Sequence, residues 1–117
     1  MRKFAFAAFA ALLLPSPALA ETQDFVFINS TGYVVQELYV SPSRANNWEE
    51  DVLGTNQLPS GQRATIRFNG DSGACLYDIK LVHDDGDEAS WTGINLCEVS
   101  VVNAKYNSQG EPIAEYE

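Results

Sequence analysis

Apolar and polar residues alternate with a period of two along most of this chain, the signature of strands with one buried face. The clearest case is 63–69, where Ala64, Ile66 and Phe68 fall on one side and Arg63, Thr65, Arg67 and Asn69 on the other. Residues 24–28 (DFVFI) form a short strand that is apolar on both faces. Residues 33–40 (YVVQELYV), rich in β-branched and aromatic side chains, read as its partner strand across Asn29-Ser30-Thr31-Gly32. Cys75, Tyr77, Ile79 and Leu81 share a face, with Asp78 and Lys80 opposite. Residues 91–102 read as one or two strands, and 101–107 and 111–117 as a last pair around Ser108-Gln109-Gly110. Gly-rich and Pro-containing breakers separate these runs at 58–61, 69–73 and 84–88.

The only helical candidate is 47–54 (NWEEDVLG). Asn46 or Asn47 can cap it, three acidic residues suit its positive end, and Gly54 suits its stop. Trp48 would pin it to the sheet through Val52 and Leu53. The pattern therefore predicts an all-β fold: a small antiparallel β-sandwich or open barrel of about six to seven strands. One short helix is expected in the 41–57 loop.

The first 20 residues break the pattern and read as a secretory signal peptide. Arg2 and Lys3 precede an unbroken apolar run over 4–14, and Ala18-Leu19-Ala20 forms a cleavage site before Glu21. The run is too short to span a bilayer, which takes about 20 apolar residues. The expected organisation is a cleaved leader, 1–20, and a single β domain, 21–117, with no membrane span after cleavage.

Cleavage changes the composition. The 117-residue chain carries a formal charge of −9; the 97 residues left have five Lys and Arg against 16 Asp and Glu, a charge of −11. Such acidity excludes nucleic acid as a partner, because phosphate binding needs clustered Lys and Arg. It suits a cationic ligand or a protein of the cell envelope. A domain this small buries only about 60–65 % of its unfolded surface and gains from a staple. Export puts Cys75 and Cys97 in an oxidising compartment, where an even pair bonds. A loop of this length contributes about 3 kcal/mol when closed. A regular hairpin centred on Gly86 would pair position 75 with 97, and Leu81 with Trp91.

Few constellations suggest chemistry. Gly70-Asp71-Ser72-Gly73 spells the nucleophile segment of chymotrypsin-like proteases, but the only histidine, His83, lies downstream and the chain is far too short for that fold. His83 has no nucleophile fixed beside it in sequence, so a small hydrolase is the weakest reading, and no catalytic residue is assigned. Asp84, Asp85, Asp87 and Glu88 offer oxygen ligands for Ca²⁺, although the EF-hand spacing is absent; a solvated hairpin tip is the alternative. Glu49, Glu50 and Asp51 make a second acidic patch, which would strengthen a Ca²⁺ site only if folded beside the first. Apart from Ca²⁺, no cofactor is expected. Trp48 and Trp91 could stack on a sugar ring, and Trp48, in the longest loop, is the better placed. Trp48, Tyr39 and Ser43 are the candidate ligand-binding residues. Asn29-Ser30-Thr31 matches a glycosylation sequon.

Phe27-Ile28-Asn29-Ser30-Thr31-Gly32-Tyr33, Leu38-Tyr39-Val40-Ser41-Pro42-Ser43, Trp48 and Asp51-Val52-Leu53-Gly54 resemble a set of small exported bacterial proteins without an assigned function. The likeness continues through Cys75-Leu76-Tyr77-Asp78-Ile79-Lys80, Asp84-Asp85-Gly86, Trp91 and Ile94-Asn95-Leu96-Cys97. Members commonly have Gly after the first Trp, where this chain has Glu49. Some have carried the label argininosuccinate lyase; that enzyme is long, helical and tetrameric, which 97 β-patterned residues cannot supply. The resemblance implies a bacterial source, a periplasmic or secreted location, and a non-enzymatic binding or accessory role.

Overall fold

The computed structural model describes residues 23–68 and 73–117. The proposed leader and most of the Gly70–Gly73 segment lie outside the described residues. Among the described residues, seven strands form two facing sheets, an all-β sandwich. They are β1 (Phe25–Asn29), β2 (Val35–Pro42), β3 (Arg63–Ile66), β4 (Leu76–His83), β5 (Glu88–Asn95), β6 (Val101–Tyr106) and β7 (Pro112–Tyr116). One sheet has the order β3-β1-β6-β7, the other β2-β4-β5. Pairings are antiparallel except β1 with β6, which run parallel.

The core follows from the alternation. Phe25 and Phe27 of β1, Ile66 of β3 and Val102 and Ala104 of β6 point inward from one sheet. Leu38 and Val40 of β2, Tyr77, Ile79 and Leu81 of β4, and Ile94 of β5 meet them from the other. Phe68 packs on Phe25 and Tyr77, continuing the face begun by Ala64 and Ile66. Cys75 and Cys97 are joined, with Cα atoms 5.1 Å apart.

Three expectations are corrected. First, β1 and β2 are not hairpin partners. Both edges of β1 are taken, by β3 and β6, so it is interior in its sheet, with Phe25 and Phe27 facing the core and Val26 and Ile28 half-buried on the other face. The chain crosses to the other sheet after Asn29. Second, no helix forms at 47–54. The short helix of the 41–57 segment is one 3-10 turn at Ser43–Ala45. Downstream, Asp51 bridges Tyr39, Val52 N–H donates to the Leu38 carbonyl, and Leu38 N–H donates to Asp51 Oδ1. Groups that a helix would pair internally are engaged by β2 instead. Val52 is exposed and only Leu53 packs against the core.

Third, the register of the β4–β5 hairpin is shifted. Leu81 pairs with Ala89, and Trp91 with Ile79. The tip is tight: Gly86, at φ 93°, donates to the His83 carbonyl, and His83 N–H donates to the Asp87 carbonyl. An irregularity then falls between Ile79↔Trp91 and Tyr77↔Ile94, where β5 carries one residue more than β4. Gly93, at φ 67°, sits in this bulge. The extra residue shifts the lower hairpin by one toward Cys97. Leu96 N–H donates to the Cys75 carbonyl, and the disulfide joins the two chains just beyond the last strand pair, Leu76↔Asn95.

The crossover is held by Asn29, which is fully buried. Its Nδ2 donates to the carbonyls of Tyr33 and Leu58, both at 2.8 Å. Its Oδ1 accepts from Thr31 N–H at 3.0 Å and Thr31 Oγ1 at 2.6 Å. The sequon is therefore closed to glycosylation in the folded protein. Asn29→Ala removes four hydrogen bonds, three of them buried, and is expected to destabilise by about 3 kcal/mol at about 1 kcal/mol per buried bond. Urea unfolding measures this; a loss below about 1 kcal/mol would contradict the role given to Asn29.

Candidate functional site

Two concavities stand out, at different places on the sandwich. The larger is a cleft of about 550 Å³ between the β4–β5 turn and the β6–β7 turn. His83 ends β4 in one sheet and Tyr106 ends β6 in the other, and their contact forms the cleft floor. His83 is buried, with Nδ1 2.8 Å from the Val34 carbonyl and Nε2 2.8 Å from the Tyr106 hydroxyl. A carbonyl only accepts, so Nδ1 carries a hydrogen; in the neutral ring Nε2 then accepts from the phenol. The Tyr33 ring stands edge-on to both, with centroids 5.7 Å from His83 and 6.2 Å from Tyr106. Thr31 holds Tyr33 in place: its Oγ1, whose hydrogen goes to Asn29 Oδ1, accepts from the Tyr33 N–H at 3.2 Å.

Asp85, Asp87 and Glu88 line the cleft wall, facing Asn107 and Ser108 of the other turn. No Lys or Arg is among the lining residues. Burial, then the nearby charges of Asp87 and Asp85, raise the Tyr106 phenol above its ordinary value, so it stays a protonated hydroxyl. Asp84 is exposed at the tip and does not line the cleft. Among the described residues no three of His, Cys, Asp and Glu gather closely enough to hold a metal. Asp85 also turns Oδ1 back onto Asp87 N–H at 2.9 Å, which supports the turn.

The smaller concavity, about 210 Å³, lies beside Trp48 on the outer face of the three-stranded sheet. It brings two of the three candidate binding residues, Trp48 and Ser43, to one place, with Tyr39 beside them. The Trp48 and Tyr39 rings are 6.4 Å apart. Lys80 Nζ stands 4.9 Å from the Tyr39 centroid and 5.4 Å from that of Trp48. Ser43 Oγ donates to Asp78 Oδ1 at 2.6 Å. Trp91, the other candidate for stacking, is half-buried in β5, and its Nε1 has no partner among the described residues.

Tyr39 also links the two acidic patches. Its hydroxyl donates to Glu37 Oε1 at 2.6 Å, and its pKa is pushed up to about 12, first by that bond, then by desolvation and by the charges of Glu37, Asp51 and Glu88. Asp51 of one patch and Glu88 of the other thus act on the same phenol.

Trp48, Tyr39, Ser43 and the acidic turn are the residues that the sequence singles out, and the structure adds Tyr33, Thr31 and Tyr106 around the cleft. Tyr33 directly follows a glycine turn and Tyr106 ends a strand, but nothing local joins residues 73 positions apart.

No protein-family model matches the chain, and no curated protein matches it. An NMR structure of a protein from Eubacterium rectale is similar in fold, with a TM-score of 0.57 at 14 % identity, over 80 % of this chain and 85 % of that one. The likeness concerns the fold alone. No helix among the described residues is long and apolar enough to cross a membrane.

The Tyr39–Glu37 bond has a pH signature. A raised phenol pKa means that its stabilisation is complete below about 10 and is lost as pH rises through about 12. Alkaline ultraviolet titration should show one tyrosine ionising near the upper value. Glu37→Gln should bring it back toward about 10; an unchanged curve would contradict the assignment.

Proposed function

We propose that the mature chain is an exported, non-catalytic binding protein of the bacterial periplasm or exterior, and that its larger cleft takes an organic cation with N–H donors. The observation that carries this reading is the composition of the cleft: three carboxylates, the rings of Tyr33, His83 and Tyr106, and no Lys or Arg around about 550 Å³. That volume lies within the range of small-molecule sites, roughly 300–1,000 Å³, and far exceeds what a bare ion needs. Carboxylates at the wall accept charge-assisted hydrogen bonds from an ammonium or guanidinium. The Tyr33 and Tyr106 rings add attraction for a cation and cover its alkyl part. The excess of acidic residues supplies a long-range field of the right sign.

Binding is favoured over catalysis because both His83 nitrogens are engaged, by the Val34 carbonyl and the Tyr106 hydroxyl. A histidine held this way ties the sheets together and is poorly placed to move a substrate proton. Export is supported by the leader pattern of residues 1–20 and by the Cys75–Cys97 bond. Protein recovered from the periplasm of an expressing bacterium should have the intact mass of a chain beginning at Glu21 with both cysteines oxidised. A retained Met1 or free thiols would contradict export.

Spermidine, methylguanidine and choline serve as probes for the cleft, read by NMR shifts of the Tyr33, Tyr106 and Gly86 signals. Spermidine or methylguanidine should bind, more weakly as salt rises, and choline, lacking N–H donors, should bind less well. Asp87→Asn should weaken binding about tenfold or more, the worth of one charge-assisted hydrogen bond. Shifts absent from these residues with all three probes would overturn the reading.

A further inference from the structure

The Trp48 concavity differs chemically from the cleft, and it is built with more backbone constraint than a surface loop requires. The loop over 46–53 is pinned at both ends. Glu49 N–H donates to Ser41 Oγ at 3.1 Å, and Ser41 is buried. Farther on, Asp51 Oδ1 accepts from Leu38 N–H and Leu53 N–H, both at 2.9 Å. Trp48 is thereby held on the outer face of the sheet beside Tyr39 before any ligand arrives.

Asp78 is fixed just as firmly. Its Oδ1 accepts from Ser43 Oγ and, at 3.0 Å, from Gly93 N–H. The second bond exists because of the β5 bulge, where Gly93 adopts φ 67°. On the other lip, Asn46 closes the 3-10 turn at φ 65° and is the one non-glycine residue at positive φ among the described residues. Two departures from regular backbone thus converge on one small site, as they do where a fold holds groups for a ligand.

Charge selects the ligand. Lys80 places its ammonium between the two rings, which disfavours a cation. Asp78 lines the concavity and Glu37 and Asp51 lie close to Tyr39, which disfavours an anion. A neutral molecule with one apolar face and several hydroxyls satisfies both conditions. The axial C–H bonds of a pyranose stack on an indole face, whose partial negative charge attracts them. Its hydroxyls find a carboxylate at Asp78, a hydroxyl at Ser43 and amides at Asn46 and Asn47. At about 210 Å³ the space is smaller than drug-sized pockets and suits a single ring.

The geometry points to a saccharide subsite at Trp48, separate from the cation cleft and independent of it. The test uses ¹⁵N-labelled mature protein and its two indole N–H signals, assigned with Trp48→Phe. Trp91, with its Nε1 buried, is the internal control. The probes are methyl β-glucoside, N-acetylglucosamine, cellotriose and chitotriose, with adenosine and butylammonium as competing chemistries. At least one sugar should move the Trp48 indole signal saturably and leave that of Trp91 in place. Trp48→Ala should weaken this binding about tenfold or more. Asp78→Asn should cost about tenfold with thermal unfolding little changed, because the amide oxygen still accepts from Ser43 and Gly93 while the charge is gone. The proposal is overturned if no sugar moves the Trp48 signal, if only adenosine or butylammonium does, or if Asp78→Asn leaves sugar affinity unchanged.

Discussion

The buried amide of Asn29 is the constraint on which the architecture turns. β1 sits in the middle of one sheet and β2 at the edge of the other, so the chain must leave one layer and enter the next within a few residues. Backbone groups in such a crossing have no ladder to join, and leaving them buried and unpaired would be costly. Asn29 resolves this with one side chain that donates twice and accepts twice. It reaches Leu58 as well as Tyr33, so it also gathers the returning segment that leads into β3. Its backbone takes part too: Asn29 N–H donates to the Gln62 carbonyl, and Gly61 N–H to that of Asn29. Asp would lose both donors, and Gln would place them one methylene farther out.

The same crossing builds the cleft. Thr31 and Tyr33 are where they are because Asn29 folds the chain back at that point. Tyr33 then covers His83, which joins the last residue of β4 to the last residue of β6 across the sandwich. The cleft is thus a consequence of how the two sheets are tied at one end, and the acidic turn of the β4–β5 hairpin becomes one of its walls. Residues that look like ordinary turn and strand-end positions acquire a shared role through this closure.

The outer face of the three-stranded sheet is organised by a different interaction, the placing of Lys80 between Tyr39 and Trp48. Only five basic side chains remain after residue 20, and one of them sits here amid Glu37, Asp51 and Glu88. Its stem covers aromatic surface and its charge offsets the acidic surroundings. The loop predicted to be helical instead touches β2 through one bridge at Asp51 and then turns over 52–55, because Val52 N–H donates to the Leu38 carbonyl and Asp51 Oδ1 accepts from Leu38 N–H. A helix there would have carried Trp48 differently. The local preference of Asn, Glu and Gly for a capped turn was real but too weak to compete with pairing to a strand already in place.

Much of the fold was legible in the residues themselves. The period-two runs identified the inward positions of β3 and β4 and the last hairpin, because side-chain alternation is a local property of the strand. The cysteine pair was legible because there are only two. The acidic tip was legible because Gly86 must take a positive φ. What tertiary structure alone decided was which strands are neighbours, and with that the whole cleft. Backbone edges carry no side-chain code, so β1 could have paired with any alternating strand, and its true partners, β3 and β6, lie far away in sequence. The β4–β5 register was decided the same way: the tight tip moves Trp91 from Leu81 to Ile79, and one extra residue at Gly93 shifts the pairing part of the way back toward the cysteines, which join just beyond the last strand pair, Leu76↔Asn95. Tyr33, His83 and Tyr106 meet only once both sheets are closed, because their contact depends on strand order rather than on any spacing along the chain.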